Sequence, residues 1–435
     1  MTDKSFADKA PKIIYAADIG SSHITMMAGT VDAEGVHILG MEREICRGLA
    51  AKGLLENSTE AASRLVRLSK QLKNRIGQAE APRIIFVSLG GRDLHKTEAE
   101  VDRDLEPTKH VSEKILNDME KECKRKFENA YPTYSVAEVI WGTFTLDGKI
   151  QTTNPNDCKA KMIHGEYELY YGPRQMRQQW DECMSKQEQL KIGCYFVSTE
   201  TLRTALLNGD DEQEGCAIIS FGSDTTTYCA YYHGQLLDLL VVPFGSQNIT
   251  KDIAYKAISI PDAEKLKKHR TSLIPIEQPL TIRVDSAVEP GNDVFFSTDT
   301  LTKIATTRED EILKPIIDRI NENIDYLENK TLYITGGGAR QKGLVKFLQD
   351  RIPMDVRFGS VVNKLSDDTD ASQYGAPELS QLIGTIILGS EYIESVSKTL
   401  AEKPSTKKTG RRRLTDWFKD AANNLFEENQ DLKEE

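Results

Sequence analysis

Two well-separated stretches of the chain show the same order of apolar and polar positions. Residues 13–28 pass from an apolar run through a polar turn at 18–22 into a second apolar run. Residues 216–232 repeat this order around a polar turn at 220–224. Each stretch predicts a buried strand, a tight loop and a return strand. A hairpin that recurs in this way indicates a duplicated domain, in which two similar loops face each other across a cleft.

The loop residues of the two stretches correspond when the hairpins are aligned. The pairs are Asp18 with Ser220, Gly20 with Gly222, and Ser21 with Ser223. A third element follows at 331–339, where an apolar strand runs into three glycines and then into a helix predicted at 342–350. Because glycine lets the backbone approach a ligand and helix starts offer free N–H groups, these elements suit a phosphate-bearing ligand.

The rest of the pattern predicts an α/β protein. Strands are predicted at 36–42, 84–89, 136–144, 166–171 and 191–197. Helices are predicted at 112–129, 174–189, 201–207, 309–329 and 379–392. The segment 208–215 is acidic and ends in glycine, which favours a linker between two lobes.

The composition is that of an ordinary soluble protein and narrows the class of partners. The 435 residues are 39% hydrophobic and 28% charged, which allows a sizeable core. The net charge of −11 argues against a nucleic-acid-binding body. The seven cysteines form no C-x-x-C pair, so we predict neither a zinc site nor a disulfide framework. A reducing cytoplasm is the simplest location, since residues 1–11 do not resemble a signal peptide and no stretch has the apolar length of a membrane span.

The C-terminal stretch carries the pattern of an amphipathic helix. One face of this helix would present Leu414, Trp417, Phe418, Ala421, Leu425 and Phe426. Five cations crowd its start: Lys407, Lys408, Arg411, Arg412 and Arg413. Aromatic side chains on one face with basic residues beside them favour a helix that lies in the interface of an anionic membrane. The alternative is a helix that docks on the protein's own body or on a partner.

The order of loop, repeated loop and triple glycine resembles that of the actin, Hsp70 and sugar-kinase superfamily. Within it, the chain is most similar to the bacterial cell-division protein FtsA. Four segments carry this likeness: CRGLAAKG at 46–53, VSLGG at 87–91, GSQNITKDIA at 245–254 and DAEKLK at 262–267. The likeness runs from residue 13 to about residue 389, and the tail fits as well.

The resemblance implies an actin-like (ribonuclease H-like) duplicated two-lobe fold, with an FtsA-type inserted subdomain and a C-terminal amphipathic helix. The implied divisions are 12–82 (first lobe, 1A), 83–172 (inserted subdomain 1C, SHS2-like), 173–213 (rest of the first lobe), 214–245 (second lobe, 2A), 246–308 (2B), 309–370 (rest of 2A), 371–396 (a helix returning to the first lobe), 397–410 (disordered linker) and 411–428 (membrane-targeting helix). The alternative for 83–172 is an insert without a role in contacts.

The resemblance also implies that the loops hold the phosphates of ATP and the triple glycine its adenosine. The implied nucleotide-binding residues are Asp18, Gly20, Ser21, Ser22, Gly222, Ser223, Asp224, Thr225, Gly245, Ser246, Glu264, Lys267, Gly336, Gly337 and Gly338. Asp18 is the candidate ligand of Mg²⁺ through water and the one candidate for a catalytic role. Glu264 and Lys267, three residues apart on a helix, suit ribose and base contacts or a simple ion pair equally well.

The second loop departs from the family's pattern of aspartates and glycines. Ser220 and Thr227 stand where the family has aspartates, and Asp224 stands where glycine lets phosphate approach. We therefore expect weak ATP hydrolysis or none.

The function implied by the resemblance is that of an actin-like cell-division protein. It binds ATP, polymerises at the inner face of the cytoplasmic membrane through its C-terminal helix, and anchors the FtsZ ring while recruiting the divisome. Implied partners are the C-terminal peptide of FtsZ, further copies of the chain, downstream divisome proteins and an anionic membrane surface, but no nucleic acid. The implied location is the cytoplasmic side of the inner membrane at the division septum. Two alternatives are a nucleotide-independent membrane scaffold of the divisome and a cytoplasmic kinase of the same superfamily.

Overall fold

A computed structural model describes residues 12–106, 110–185, 187, 189–255, 257–289 and 291–401. The predicted amphipathic helix at 411–428 and its basic residues lie outside the described residues. The strands are β1 Ile14–Ile19, β2 His23–Asp32, β3 Gly35–Ile45, β4 Ala50–Ala51, β5 Leu54–Leu55, β6 Ile84–Leu89, β7 His95–Asp104, β8 Tyr134–Leu146, β9 Ile150–Thr152, β10 Met162–Pro173, β11 Lys191–Val197, β12 Cys216–Phe221, β13 Thr226–Tyr232, β14 Gln235–Val242, β15 Thr281–Asp285, β16 Asp293–Ser297, β17 Thr331–Thr335 and β18 Asp355–Phe358. The helices are α1 Ser58–Ile76, α2 Glu113–Ala130, α3 Arg174–Ser185, α4 Ser198–Leu206, α5 Gly209–Glu214, α6 Ser246–Ala254, α7 Ile260–Arg270, α8 Thr298–Glu322, α9 Ile324–Leu327, α10 Leu344–Gln349, α11 Ala371–Tyr374 and α12 Ser380–Ala401.

Two five-stranded sheets have the same topology, which confirms the predicted duplication. The first sheet has the order β3-β2-β1-β6-β11 and the second the order β14-β13-β12-β17-β18. In each sheet the first three strands are antiparallel neighbours and the last two are added in parallel. Each sheet forms the centre of one lobe, so the chain has the predicted two-lobe α/β fold.

Apolar cores lie on both faces of these sheets. Between the two sheets, Leu202 of α4 and Ile383 and Ile386 of α12 are fully buried. The outer face of the first sheet packs on α1 through Leu65, and the outer face of the second packs on α8 through Ile316. Helix α12 lies against β1, β2 and β6, as predicted for a final apolar helix that returns to the first lobe.

A third structural unit is inserted in the first lobe between β6 and α3. Its antiparallel sheet has the order β7-β10-β8-β9, and α2 covers one face. Val101, Phe144 and Leu169 of this sheet are buried against Leu116 and Met119 of α2. The insert therefore has its own small core, which makes it a folded unit and not an extended loop.

The segment 208–215, predicted as a linker, contains the short helix α5. The Oδ1 atom of Asn208 accepts a hydrogen bond from Asp211 N at 2.9 Å, and the Asp211 carboxylate accepts one from Asn208 N at 3.2 Å. This reciprocal pair is a capping box, which satisfies N–H groups at a helix start. The segment connects α4 of the first lobe to β12 of the second, as predicted, but it does so as a capped helix.

The bounds of two longer helices also differ from the prediction. Helix α8 begins at Thr298, well before the predicted start at 309, because Ser297 caps it by accepting a hydrogen bond from Asp299 N at 3.2 Å. Helix α12 continues to Ala401 and so enters the segment 397–410 that was predicted as a linker. None of the described helices combines the length and apolar character needed to cross a membrane.

Candidate functional site

The two aligned loops have the same backbone geometry. The N–H of Gly20 donates to the carbonyl of His23 at 2.9 Å, and the N–H of Gly222 donates to the carbonyl of Thr225 at 2.9 Å. Each bond closes a tight turn between an incoming strand and its return strand. The loops are therefore structural repeats as well as sequence repeats.

The first residues of the two loops occupy the same register position. Asp18 lies opposite Thr25 across the β1–β2 hairpin, and Ser220 lies opposite Thr227 across the β12–β13 hairpin. A carboxylate in the first lobe thus has a neutral hydroxyl as its counterpart in the second. The alignment of Asp18 with Ser220 is confirmed.

Both loops open into one cavity of about 1000 Å³. The predicted site residues that line it are Asp18, Gly20, Ser21, Ser22, Gly222, Ser223, Asp224, Thr225, Ser246, Glu264, Lys267, Gly336, Gly337 and Gly338. Gly245 lies behind the second loop, where a Cβ atom would come within 2.6 Å of the Ser223 carbonyl oxygen. The structure therefore brings the predicted set together, with Gly245 as a support of the loop.

The triple glycine forms a turn against the second loop. Gly336 has φ +83°, and a Cβ atom there would lie 2.5 Å from the carbonyl oxygen of Phe221. A Cβ atom on Gly338 would lie 2.8 Å from the Cβ of Phe221, whereas one on Gly337 would meet no atom within 4 Å. A 3₁₀ turn at Gly337–Arg340 follows, and α10 begins at Leu344, slightly later than predicted. Two glycines thus allow close packing, and Gly337 leaves space open beside the cavity.

Asp18 lies deep in the cavity, where its surroundings favour the uncharged form. Burial raises the pKa of Asp18 to about 6, although the positive charge of Arg43 opposes this shift. Burial and the same arginine lower the pKa of the neighbouring His23 to about 4. His23 is therefore neutral at pH 7, and Asp18 is the group whose charge responds to a bound cation.

Glu264 and Lys267 form an ion pair at the second-lobe wall of the cavity. Lys267 Nζ lies 2.8 Å from the Glu264 carboxylate and donates to the carbonyl of Ser246 at 3.0 Å. Thr250 Oγ1 donates to the same carboxylate at 2.5 Å. The ion pair that the sequence left as one alternative is present, and it joins the segments 245–254 and 262–267. Both side chains also line the cavity, so the second alternative stays open.

The segment 46–53 supports the first loop from behind. The N–H of Cys46 donates to the carbonyl of Ser22 at 2.9 Å. Gly53 has φ +91°, and a Cβ atom there would lie 2.3 Å from the carbonyl oxygen of Gly90. Gly53 and Gly91 are therefore needed for close backbone contact where the chain enters the insert.

Sequence reasoning missed several charged residues of the cavity wall. They are Arg43, Arg47, Lys251, Lys268, Glu309, Arg340 and Glu378. Arg47 and Lys251 lie within the motif segments 46–53 and 245–254, which could have pointed to them. The others lie outside the motif segments, so only the fold brings them to the cavity. Glu378 lies 3.7 Å from Arg43 of the first lobe and 3.0 Å from Arg340 of the second, so it bridges the lobes.

Comparison with known proteins finds sequence similarity to one family. Residues 217–384 match the family model described as "Cell division protein FtsA". A curated FtsA of Bacillus subtilis (strain 168) is 23% identical over 352 residues, which cover 80% of this chain and 79% of that protein. The FtsA of Buchnera aphidicola subsp. Schizaphis graminum is 21% identical over 434 residues, which cover 94% of this chain and 98% of that protein. The similarity to these proteins therefore extends over most of the chain.

Solved structures show the same fold at low sequence identity. A chain of the PilM–PilN type IV pilus biogenesis complex has a TM-score of 0.61 at 13% identity, covering 87% of this chain and 98% of that one. MreB5 of Spiroplasma citri bound to AMPPNP has a TM-score of 0.50 at 11% identity, covering 91% of this chain and 99% of that one. The chain is thus similar in sequence to the bacterial cell-division protein FtsA over most of its length, and it has the actin-like fold.

Proposed function

We propose that the chain is an actin-like cell-division protein that binds ATP between its lobes. It polymerises at the cytoplasmic face of the inner membrane through its C-terminal amphipathic helix, anchors the FtsZ ring and recruits downstream divisome proteins. The observation that carries the nucleotide part is the single cavity lined by both loops, the triple glycine and the Glu264–Lys267 pair. A phosphate chain fits this arrangement because turns with free N–H groups bind anions.

Within this proposal both lobes hold phosphates, and the second lobe also holds the adenosine. The loops at Gly20–Ser22 and Gly222–Thr225 hold phosphates, and the turn at Gly336–Gly338 holds adenosine. Mg²⁺ binds through water near Asp18, whose charge it stabilises against burial. MreB5, a protein of similar fold, is bound to AMPPNP, which supports an adenine nucleotide as the ligand.

Hydrolysis is expected to be slow because the second lobe lacks a carboxylate at its first loop position. Ser220 occupies the position that corresponds to Asp18. Phosphoryl transfer depends on metal ions and on a residue that orients the attacking water. A single carboxylate in this register favours a protein that responds to bound nucleotide over one that turns it over rapidly.

Nucleotide binding and membrane binding both promote assembly in this proposal. A ligand that contacts two lobes stabilises the arrangement in which both contacts are made. One basic amphipathic tail binds a membrane reversibly, whereas a polymer with many tails binds firmly. ATP is therefore expected to strengthen membrane attachment through polymerisation.

A second candidate is a nucleotide-independent scaffold of the divisome. Ser220 and the side chain of Asp224 in the second loop are the observations that favour it. This candidate keeps the membrane helix and the partners but predicts that ATP has no effect on assembly.

Vesicle pelleting tests the proposal. The full chain and a chain ending at Lys408 are mixed with vesicles containing anionic lipid, with and without Mg-ATP. We expect the full chain to pellet, and to pellet more with ATP, while the shortened chain stays in solution. Equal pelleting of both chains would remove the membrane helix from the proposal. If the full chain pellets equally with and without ATP, the result would favour the nucleotide-independent scaffold.

A further inference from the structure

One buried carboxyl group in the cavity wall has no role in the features described so far. Glu309 lies on the buried face of α8 and is 2% exposed. It lines the same cavity as the loops and the triple glycine. Helix α8 packs on α6 and α7, so Glu309 lies in the second lobe beside Lys267.

One carboxyl oxygen of Glu309 is available to a ligand. Its Oε2 atom is buried and has no hydrogen-bond partner among the described residues. The nearby Lys267 Nζ is already paired with Glu264 at 2.8 Å and bonded to the Ser246 carbonyl at 3.0 Å. A buried polar atom without a partner destabilises the fold, so a ligand that supplies the missing partner gains affinity.

Glu309 is uncharged at neutral pH. Burial raises the pKa of Glu309 to about 8, and the positive charge of Lys267 only partly offsets this. An uncharged carboxyl has one O–H donor and one carbonyl acceptor side by side. Such a group does not repel the phosphates of a nucleotide, and its two functions match a ligand edge that also has one donor and one acceptor.

We propose that Glu309 is a specificity-determining residue that hydrogen-bonds the 6-amino group of adenine and the ring nitrogen next to it. The inference rests on the proposed function, because it requires a nucleotide in this cavity. The 6-amino group donates and the adjacent ring nitrogen accepts, which is the complement of an uncharged carboxyl group. The adenine ring then lies at the wall formed by α8, α7 and the triple glycine, away from the charges of the phosphates.

Two ligands that differ only at position 6 test this contact in the full chain. Equilibrium binding is measured for ATP and for purine riboside triphosphate, which lacks the 6-amino group. The variants are Glu309→Leu, which removes both hydrogen-bonding functions, and Glu309→Gln, which keeps one donor and one acceptor. Asp310→Asn is the matched control, since Asp310 is the next residue of α8 and pairs with Arg351 at 3.1 Å instead.

We expect the unaltered chain and Asp310→Asn to bind ATP about tenfold more tightly than the purine analogue. Glu309→Gln should retain most of this preference, whereas Glu309→Leu should bind the two ligands equally. The inference would be overturned if Glu309→Leu still preferred ATP, or if the unaltered chain bound both ligands equally. Either result would leave ATP binding itself in place. If neither ligand binds the unaltered chain, the proposed function fails, and the inference fails with it.

Discussion

At the scale of single residues, Asp18 shows how a site can conflict with stability. Its carboxyl is held where burial raises the pKa to about 6, from the ordinary value of 3.8. The folded protein therefore binds a proton more strongly than the unfolded chain does. The contribution of Asp18 to stability is most favourable below pH 3.8 and is lost as the pH rises to about 6, which is the sign expected for a buried carboxyl.

Replacing Asp18 by asparagine tests whether its charge destabilises the folded protein. Asp18→Asn should raise the free energy of unfolding by about 1–3 kcal/mol at pH 7.5, because it removes a buried charge. At pH 4, where Asp18 is protonated in the folded state, the substitution should have little effect. Urea unfolding of both proteins at the two pH values measures the difference. An equal effect at both pH values would show that the charge of Asp18 does not limit stability.

Single residues were predictable from the sequence only where they lie in a motif. Asp18 and Gly336 stand out because each ends an apolar strand and begins a polar or glycine-rich turn. Arg43 and Glu309 line the same cavity from within a strand and a helix. A charged residue in the middle of a regular element carries no local signal, so its role depends on packing that only the fold defines.

At the scale of elements, two neighbouring glycines of the triple glycine turn have different surroundings. Gly336 has a positive φ and lies against the Phe221 backbone, whereas Gly337 faces open space. The two neighbours therefore provide a matched pair of substitution sites within one turn. A side chain at Gly336 would strain the backbone, whereas a side chain at Gly337 would fill space beside the cavity.

Substitutions at Gly336 and Gly337 should separate stability from ligand binding. Gly336→Ala should lower the free energy of unfolding by about 1–3 kcal/mol, because alanine is strained at this φ and collides with the Phe221 carbonyl. Gly337→Val should change stability much less but weaken ATP binding at least tenfold, since its side chain occupies space beside the cavity. Thermal unfolding and ATP titration of both variants measure the two effects. Unchanged ATP binding by a folded Gly337→Val protein would mean that the turn does not contact the nucleotide.

Strands were easier to predict than helix ends. The predicted strand 191–197 coincides with β11, because an apolar run bounded by polar residues is a strong strand signal. Helix α8 and helix α5 were misjudged because their starts depend on capping by Ser297 and Asn208. Caps involve one side chain and one N–H group, so many serines and asparagines in a sequence are equally good candidates.

At the scale of the whole molecule, the insert joins the two lobes. Lys96 of the insert pairs with Glu168 at 2.6 Å and also donates a hydrogen bond to the Leu236 carbonyl of the second lobe. Tyr170 of the insert donates to Glu200 of α4 at 3.1 Å. A change in the angle between the lobes therefore has to move the insert or break these contacts. The duplicated topology was predictable from the repeated hairpins, but this packing was not, because Lys96 belongs to a polar strand without a motif.

The proposed function places ATP in the cavity between the lobes, so direct binding of ATP to the full chain is the most informative measurement. Titration with and without Mg²⁺ should show micromolar, magnesium-dependent binding, and Asp18→Ala should abolish the dependence on magnesium. Binding that requires neither Mg²⁺ nor Asp18 would contradict the role given to that carboxylate. No binding at millimolar ATP would contradict the nucleotide site itself and leave a membrane scaffold that assembles without ATP.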